Sequence, residues 1–188
     1  MSDPTKTCAE LEEFARNTLL PAIGEDVERE GVADTPRRYA AMMMELTSGL
    51  RAEPPPFTMF DRGNCDQMVV VSDLDYHSIC EHHLVPFYGV AHIGYIPDKR
   101  IAGLSKFGRV VDYFSKRPQT QEYMTAQVAD FLMAKMEPRG LIVVVEGHHL
   151  CMSIRGVKKA NHSTITSAIR GSISKTEFFD IMKSKRNV

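Results

Sequence analysis

The tetrapeptide Cys80-Glu81-His82-His83 is answered far downstream by His148-His149-Leu150-Cys151. Together they offer the thiolate and imidazole ligands that hold zinc. Cys80 and His83 stand three residues apart, so one tight turn can bring both onto a single ion, and Cys151 supplies a second sulfur. A structural zinc site closes with four protein ligands; a catalytic one keeps three and leaves a position where bound water becomes acidic near neutral pH. Three ligands, with His82 and His149 left over beside them, therefore read as a catalytic centre. His149, Cys151, Ser153 and Arg155 advance by twos. In an extended strand they share one face, with Leu150, Met152 and Ile154 turned toward a core. A single His or Cys in an apolar strand is usually a packed core residue, but that account does not cover all of these together.

A second group of residues is basic. The span 99–117 holds Lys99, Arg100, Lys106, Arg109, Lys116 and Arg117 against one acid, Asp112, in a chain whose net charge is only −1. Ser105 is expected to cap a helix that starts there, with Lys106 and Arg109 on one face near its positive end. Helix starts of this kind bind phosphate. A solvated basic face is the alternative, and Arg155 on the same strand face as Cys151 favours one anion meeting both elements.

These residues must be carried by a body of modest size. A chain of 188 residues, 43% of them hydrophobic, can bury one good core. Thr7 and Glu10 form a capping box for a helix running to about Leu20, and Thr35-Pro36 starts another that ends before Gly49. Pro54-Pro55-Pro56 then breaks the chain, dividing a helical arm, 1–53, from the main body, 54–188. In the body, 68–74 and 85–96 predict strands, 106–115 and 119–136 helices, 141–146, 150–155 and 163–169 strands, and 176–183 a short terminal helix. That order predicts an α+β fold, an antiparallel sheet with two long helices on one face. Its strand edges need cover, which association of copies would supply.

Near-neutral charge and scattered aromatics argue against a nucleic-acid partner. No apolar run reaches the ~18–20 residues that span a bilayer, and Met1-Ser2-Asp3-Pro4 does not read as an export signal, so no membrane partner and a cytoplasmic setting are expected. In a reducing compartment Cys8 and Cys65 are expected to be plain thiols.

Several motifs in order carry a family resemblance: Thr35-Pro36-Arg37-Arg38, the run 78–87 around Cys80-Glu81-His82-His83, Gly103-Leu104-Ser105-Lys106, Gln119-Thr120-Gln121-Glu122, the run 145–152 around His148-His149-Leu150-Cys151, and Arg155-Gly156-Val157-Lys158-Lys159. The chain resembles GTP cyclohydrolase I, the zinc enzymes that convert GTP to 7,8-dihydroneopterin triphosphate and formate. The resemblance implies Zn2+ on Cys80, His83 and Cys151, activating water for attack at guanine C8. It implies His149 as the acid/base, His82 as its neighbour in proton movement, and Ser105 near the ribose. Glu122, with Gln121 beside it, would read the guanine edge, and Lys106, Arg109, Arg155 and Arg38 would hold the triphosphate, Arg38 across a subunit boundary. The fold implied is the tunnelling fold, preceded by the N-terminal helical arm, in a homo-oligomer, a decamer of two pentamers. Asn161-His162-Ser163 and Gly171-Ser172-Ile173 depart from the family's commoner residues, at places expected to touch packing rather than the site.

Two other functions compete. A non-catalytic, zinc-stabilised oligomeric scaffold would use the same ligands for folding alone, but leaves the spare histidines and the basic helix unexplained. Another tunnelling-fold enzyme acting on a pterin or deazaguanine shares the fold, but would carry three histidines on zinc, or a lone nucleophilic Cys, in place of Cys, His, Cys.

Overall fold

The computed structural model describes residues 4–185. The arm is helical: α1 (Pro4–Phe14) passes through a π-helical turn into the short α2 (Leu20–Ala22), and α3 (Thr35–Leu46) packs back on α1. α1 starts before the expected capping box, because a proline suits the first helical position; Thr7 lies inside the helix. α3 starts at Thr35, as its Thr-Pro signal predicts.

The body follows in order: β1 (Met59–Asp61), β2 (Val69–Cys80), β3 (Pro86–Ile96), β4 (Arg100–Ala102), α4 (Ser105–Ser115), β5 (Pro118–Gln119), α5 (Gln121–Met136), β6 (Gly140–His149), α6 (Leu150–Ser153), β7 (Thr164–Gly171) and α7 (Lys175–Lys185). β1 pairs with β4, and the main sheet has the order β5-β2-β3-β6-β7. All its neighbours are antiparallel except β5, which runs parallel to the end of β2.

The α+β layering predicted above is present. Phe107, Val110 and Val111 of α4 and Met124, Val128 and Leu132 of α5 bury against Tyr76, Phe87, Ile93 and Val143 on one face of the sheet. The opposite face is partly covered by α7, whose Phe178 packs on Ile142 and Val144. This explains the unbroken apolar run 141–145: β6 is buried on both faces, so alternation disappears. Gly94 is needed beneath α7, since a Cβ there would lie 2.6 Å from the Phe178 ring.

Three boundaries differ from expectation for physical reasons. β2 continues past Leu74 to Cys80 because a bulge between Val71 and Leu74, with Asp73 at φ 56°, re-aims the strand so that polar residues fall on its exposed face. α5 starts at Gln121 rather than 119, because Gln119 pairs with Cys80 and Thr120 becomes the N-cap, accepting from the Tyr123 N–H at 3.3 Å. The segment 150–155, expected as a strand, opens instead with a helical turn over Leu150–Ser153, whose consequences belong to the site.

Phe178→Ala is expected to cost about 3–5 kcal/mol. Hydrogen exchange should show α7 losing protection while β3 and β6 keep theirs; an unchanged α7 would contradict the packing described.

Candidate metal centre and active site

Cys80 closes β2 and is 7% exposed. Its carbonyl accepts from the His83 and Leu84 N–H groups at 3.3 and 2.8 Å, and its own N–H donates to Val85 O at 2.9 Å. Leu84 takes a left-handed φ of 52°, which completes the reversal into β3. The turn swings His83 back, so that its Nδ1 lies 3.8 Å from Cys80 Sγ. The Glu81 N–H donates to Gln119 O at 3.1 Å, tying the turn to the chain that leads into α5.

Cys151 reaches the same place by a route that differs from the strand expected. Phe87↔His149 is the last pair of the β3–β6 ladder, and the next position on β3 is Pro86, which has no N–H. With no partner ahead, residues Leu150–Ser153 satisfy their own backbone as a turn of helix, and Ser153 Oγ donates to His149 O at 2.9 Å. Gly156 and Lys158, at φ 62° and 51°, then carry the chain away. His149, Cys151, Ser153 and Arg155 therefore share no strand face. Arg155 arrives through the loop instead, its Nη1 3.0 Å from His83 Nε2.

Ligand atoms of Cys80, His83 and Cys151 all lie within 4.8 Å of one another. Tetrahedral zinc with bonds of about 2.0–2.3 Å has ligand–ligand edges of roughly 3.3–3.8 Å, and the Cys80–His83 edge already has that length. Burial pushes the Cys151 thiol up from its ordinary pKa, and Cys80 beside it adds to the rise. Two adjacent thiols resist ionising together, and a cation between them reverses that preference. The donor set fits a thiophilic divalent ion. His82 lies nearby, its Nδ1 3.6 Å from Cys80 Sγ, but its ring is largely exposed and leans toward Glu81.

His149 sits beside this cluster with its ring stacked on Phe87, centroids 4.5 Å apart at 6°. Burial holds its pKa below the ordinary histidine value, and His162 adds to the depression while Glu122 opposes it. Glu122 is exposed in the first turn of α5. Cys80, His82, Gln121, Glu122, His149 and Cys151 all line one cleft of about 210 Å³.

Two residues depart from expectation here. Gln121, expected at the substrate beside Glu122, is 1% exposed, and both ends of its amide are bonded within the protein. It follows the N-cap of α5 and points under β6 rather than outward. His162, expected only in packing, belongs to the site: its Nε2 accepts the His149 backbone N–H at 3.2 Å. Its Nδ1 donates to Lys159 O at 2.6 Å, so the imidazole pins the loop that follows Cys151. No periodicity marks it in the sequence; its partners are created by the loop.

Of the expected phosphate residues, Arg155 lies beside the metal cluster, whereas Lys106, Arg109 and Arg38 do not join this cleft within one chain. β3 runs from Pro86, beside the metal cluster, to Ile96 at the opposite end of the sheet, and α4 begins only after β4 beyond that end. Ser105 and Lys106 at the start of α4 are thus a strand's length from Cys80. Ser105 is the first helical residue, and the N-cap position, Leu104, has no side-chain bond. Arg109 lines a separate cleft of about 220 Å³ with Ser48, Glu53, Asp112 and Lys116. Arg38 is exposed on α3, 3.2 Å from Asp34.

The family model for GTP cyclohydrolase I matches residues 12–183. This chain belongs to that family. It is 50% identical over 182 residues to the GTP cyclohydrolase 1 of Mycolicibacterium gilvum, covering 92% of this chain and 90% of the relative. The Thermobifida fusca GTP cyclohydrolase 1 is 49% identical over 185 residues (94% and 88%), and that of Mycobacterium leprae 54% over 163 (85% and 79%). Among solved structures, the apo archaeosine synthase QueF-Like aligns with a TM-score of 0.48 at 16% identity, covering 57% of this chain and 96% of that one.

Cys151→Ser should leave the purified protein without stoichiometric metal, measured by elemental analysis after dialysis. Full metal content in that variant would remove Cys151 from the ligand set.

Proposed function

We infer that the protein is a GTP cyclohydrolase I, opening the imidazole ring of the guanine in GTP, releasing formate and yielding 7,8-dihydroneopterin triphosphate. The observation that carries this is the convergence of Cys80, His83 and Cys151 beside His149 and Glu122, in a chain that matches the family from end to end of its body. The metal is proposed to be Zn2+, which when bound supplies Lewis acidity and an acidic water for the hydrolysis.

The side chains divide the remaining work. Glu122 accepts from guanine N1–H and the exocyclic amino group; adenine would leave the carboxylate unpaired, at a cost of about 1–3 kcal/mol. His149, neutral at pH 7 because burial lowers its pKa, exchanges a proton with the ring nitrogen next to C8 as water adds and the ring opens. His82, exposed at the rim, relays protons to solvent. Ser105 acts near the ribose during the rearrangement that follows, and Lys106, Arg109, Arg155 and Arg38 neutralise the triphosphate.

The separation of Ser105 and Lys106 from Cys80 along the sheet supports an active site completed between copies. One copy would supply the metal cluster, His149 and Glu122, and another the start of α4. The sheet ends in β7 on one side and in β2, which β5 joins only at Ile79 and Cys80, on the other. Strand pairing between copies would cover these edges, and the proposed assembly is a decamer of two pentamers. Residues 1–53 are proposed as an arm that contributes Arg38, and 54–188 as the catalytic domain. No helix of the described residues is long and apolar enough to cross a membrane, and a cytoplasmic location is proposed.

Metal-loaded protein incubated with GTP should release formate and give a product fluorescent after oxidation. His149→Ala should keep its metal and lose about 10²–10⁴ in rate; unimpaired turnover would remove His149 from the mechanism. Glu122→Ala and Lys106→Ala proteins, each inactive alone, should regain activity when dissociated and reassembled together. No recovery would place all these residues in one chain's own site.

A further inference from the structure

Gln121 is a polar side chain only 1% exposed, and its bonds have a fixed direction. Its Nε2 lies 3.0 Å from Val145 O, 3.0 Å from Thr164 O and 3.1 Å from Thr166 Oγ1. The first two are carbonyl oxygens, which only accept, so this end of the amide is the NH2. The Thr166 contact has the same polarity. Thr125 Oγ1 donates its hydrogen to Gln121 O at 2.7 Å, so at the 2.7 Å contact between the two hydroxyls Thr166 is the donor. Thr166 Oγ1 can then only accept, and it shares the two amide hydrogens with the two carbonyls. The other end, Oε1, therefore faces His149 Nε2 at 2.9 Å with no hydrogen to give.

We propose that Gln121 is a positioning residue that holds His149 with its proton on Nε2, leaving Nδ1 as the nitrogen that exchanges a proton with substrate. This rests on the acid/base role given to His149 above. An imidazole free to carry its proton on either nitrogen presents the wrong one part of the time, and ring rotation adds a second error; a fixed acceptor removes the first. The Phe87 stack removes the second by confining the ring plane. When His149 becomes doubly protonated, Oε1 remains a suitable partner for the Nε2–H, so the same contact serves both halves of the proton exchange.

Gly147 shows that space is reserved for this amide. A Cβ there would lie 2.3 Å from Gln121 Oε1 and 2.6 Å from the Tyr76 hydroxyl. Both are groups set in the core, so any larger residue on β6 would displace the acceptor from His149. The device thus has three parts: a strand position kept bare, a threonine pair that orients the amide, and a carboxamide buried under the site although its helix starts at the cleft.

The test uses full-length, metal-loaded protein labelled with 15N-histidine. In the parent protein at neutral pH, the His149 resonances, assigned by their loss in His149→Ala, should show the Nε2–H tautomer. In Gln121→Met they should shift to a mixture of tautomers. The same variant should lose about 10- to 100-fold in kcat with GTP, less than removal of the imidazole itself, with KM and metal content near the parent's. An Nδ1–H tautomer in the parent, or parental kcat in a folded Gln121→Met protein, overturns the proposal. The spectrum of the parent decides the matter even where the variant fails to fold. If the parent makes no product from GTP, the cyclohydrolase function fails while the tautomer remains measurable, so the two failures are distinguishable.

Discussion

The register of β3 between its two neighbours is the constraint on which the site depends. Ile79 pairs with Pro86 on one side and Phe87 with His149 on the other, so the turn after β2 and the turn after β6 emerge at the same end of the sheet. The ligands that these turns carry come from distant parts of the chain, and nothing but this ladder brings them together. A slip of one residue in either pairing would send Phe87 or His149 to the opposite face. The burial of β3 and β6 against α4 and α5 holds the register, because Phe87, Ile93, Val143 and Val145 must all stay on the core side.

Around that frame the site is built by local accidents of backbone that each have a cause. Pro86 ends the ladder, which frees Leu150–Ser153 to coil and lift Cys151 toward Cys80. The short parallel pairing of Gln119 with Cys80 anchors the start of α5, so that Glu122 faces the cleft while Gln121 dives beneath it. Neighbours on one strand-to-helix junction thus face opposite ways, Glu122 exposed at the cleft and Gln121 buried against His149. Burial and the adjacent Cys80 push the Cys151 thiol up, a preference that a bound cation would reverse, and burial lowers the pKa of the neighbouring His149 imidazole.

Much of this was legible in the sequence, for reasons that separate cleanly from what was not. The ligand trio could be named from residue types and spacing, and the long helices from their apolar faces, because both are local patterns. The layering followed from the order of those elements. The alternation of residues 150–155 mimics a strand, and only the end of the partner β3 at Pro86 shows that no ladder is left to join. Gln121 and His162 escaped for a related reason. Their roles come from partners far apart in the chain, Val145 and Thr166 for one and the His149 backbone for the other, and no spacing announces such contacts. The distance from Ser105 to Cys80 likewise follows only once the direction of β3 is known.

An open metal site with three protein ligands beside a separate histidine has its own signature in X-ray absorption at the metal edge of the zinc-loaded protein. Two sulfurs at about 2.3 Å, a single imidazole, and one further light atom at about 2.0 Å that exchanges with solvent are expected. A second imidazole in the inner coordination sphere, for which His82 at 3.6 Å from Cys80 Sγ is the nearest candidate, would mean a closed structural site and contradict the account.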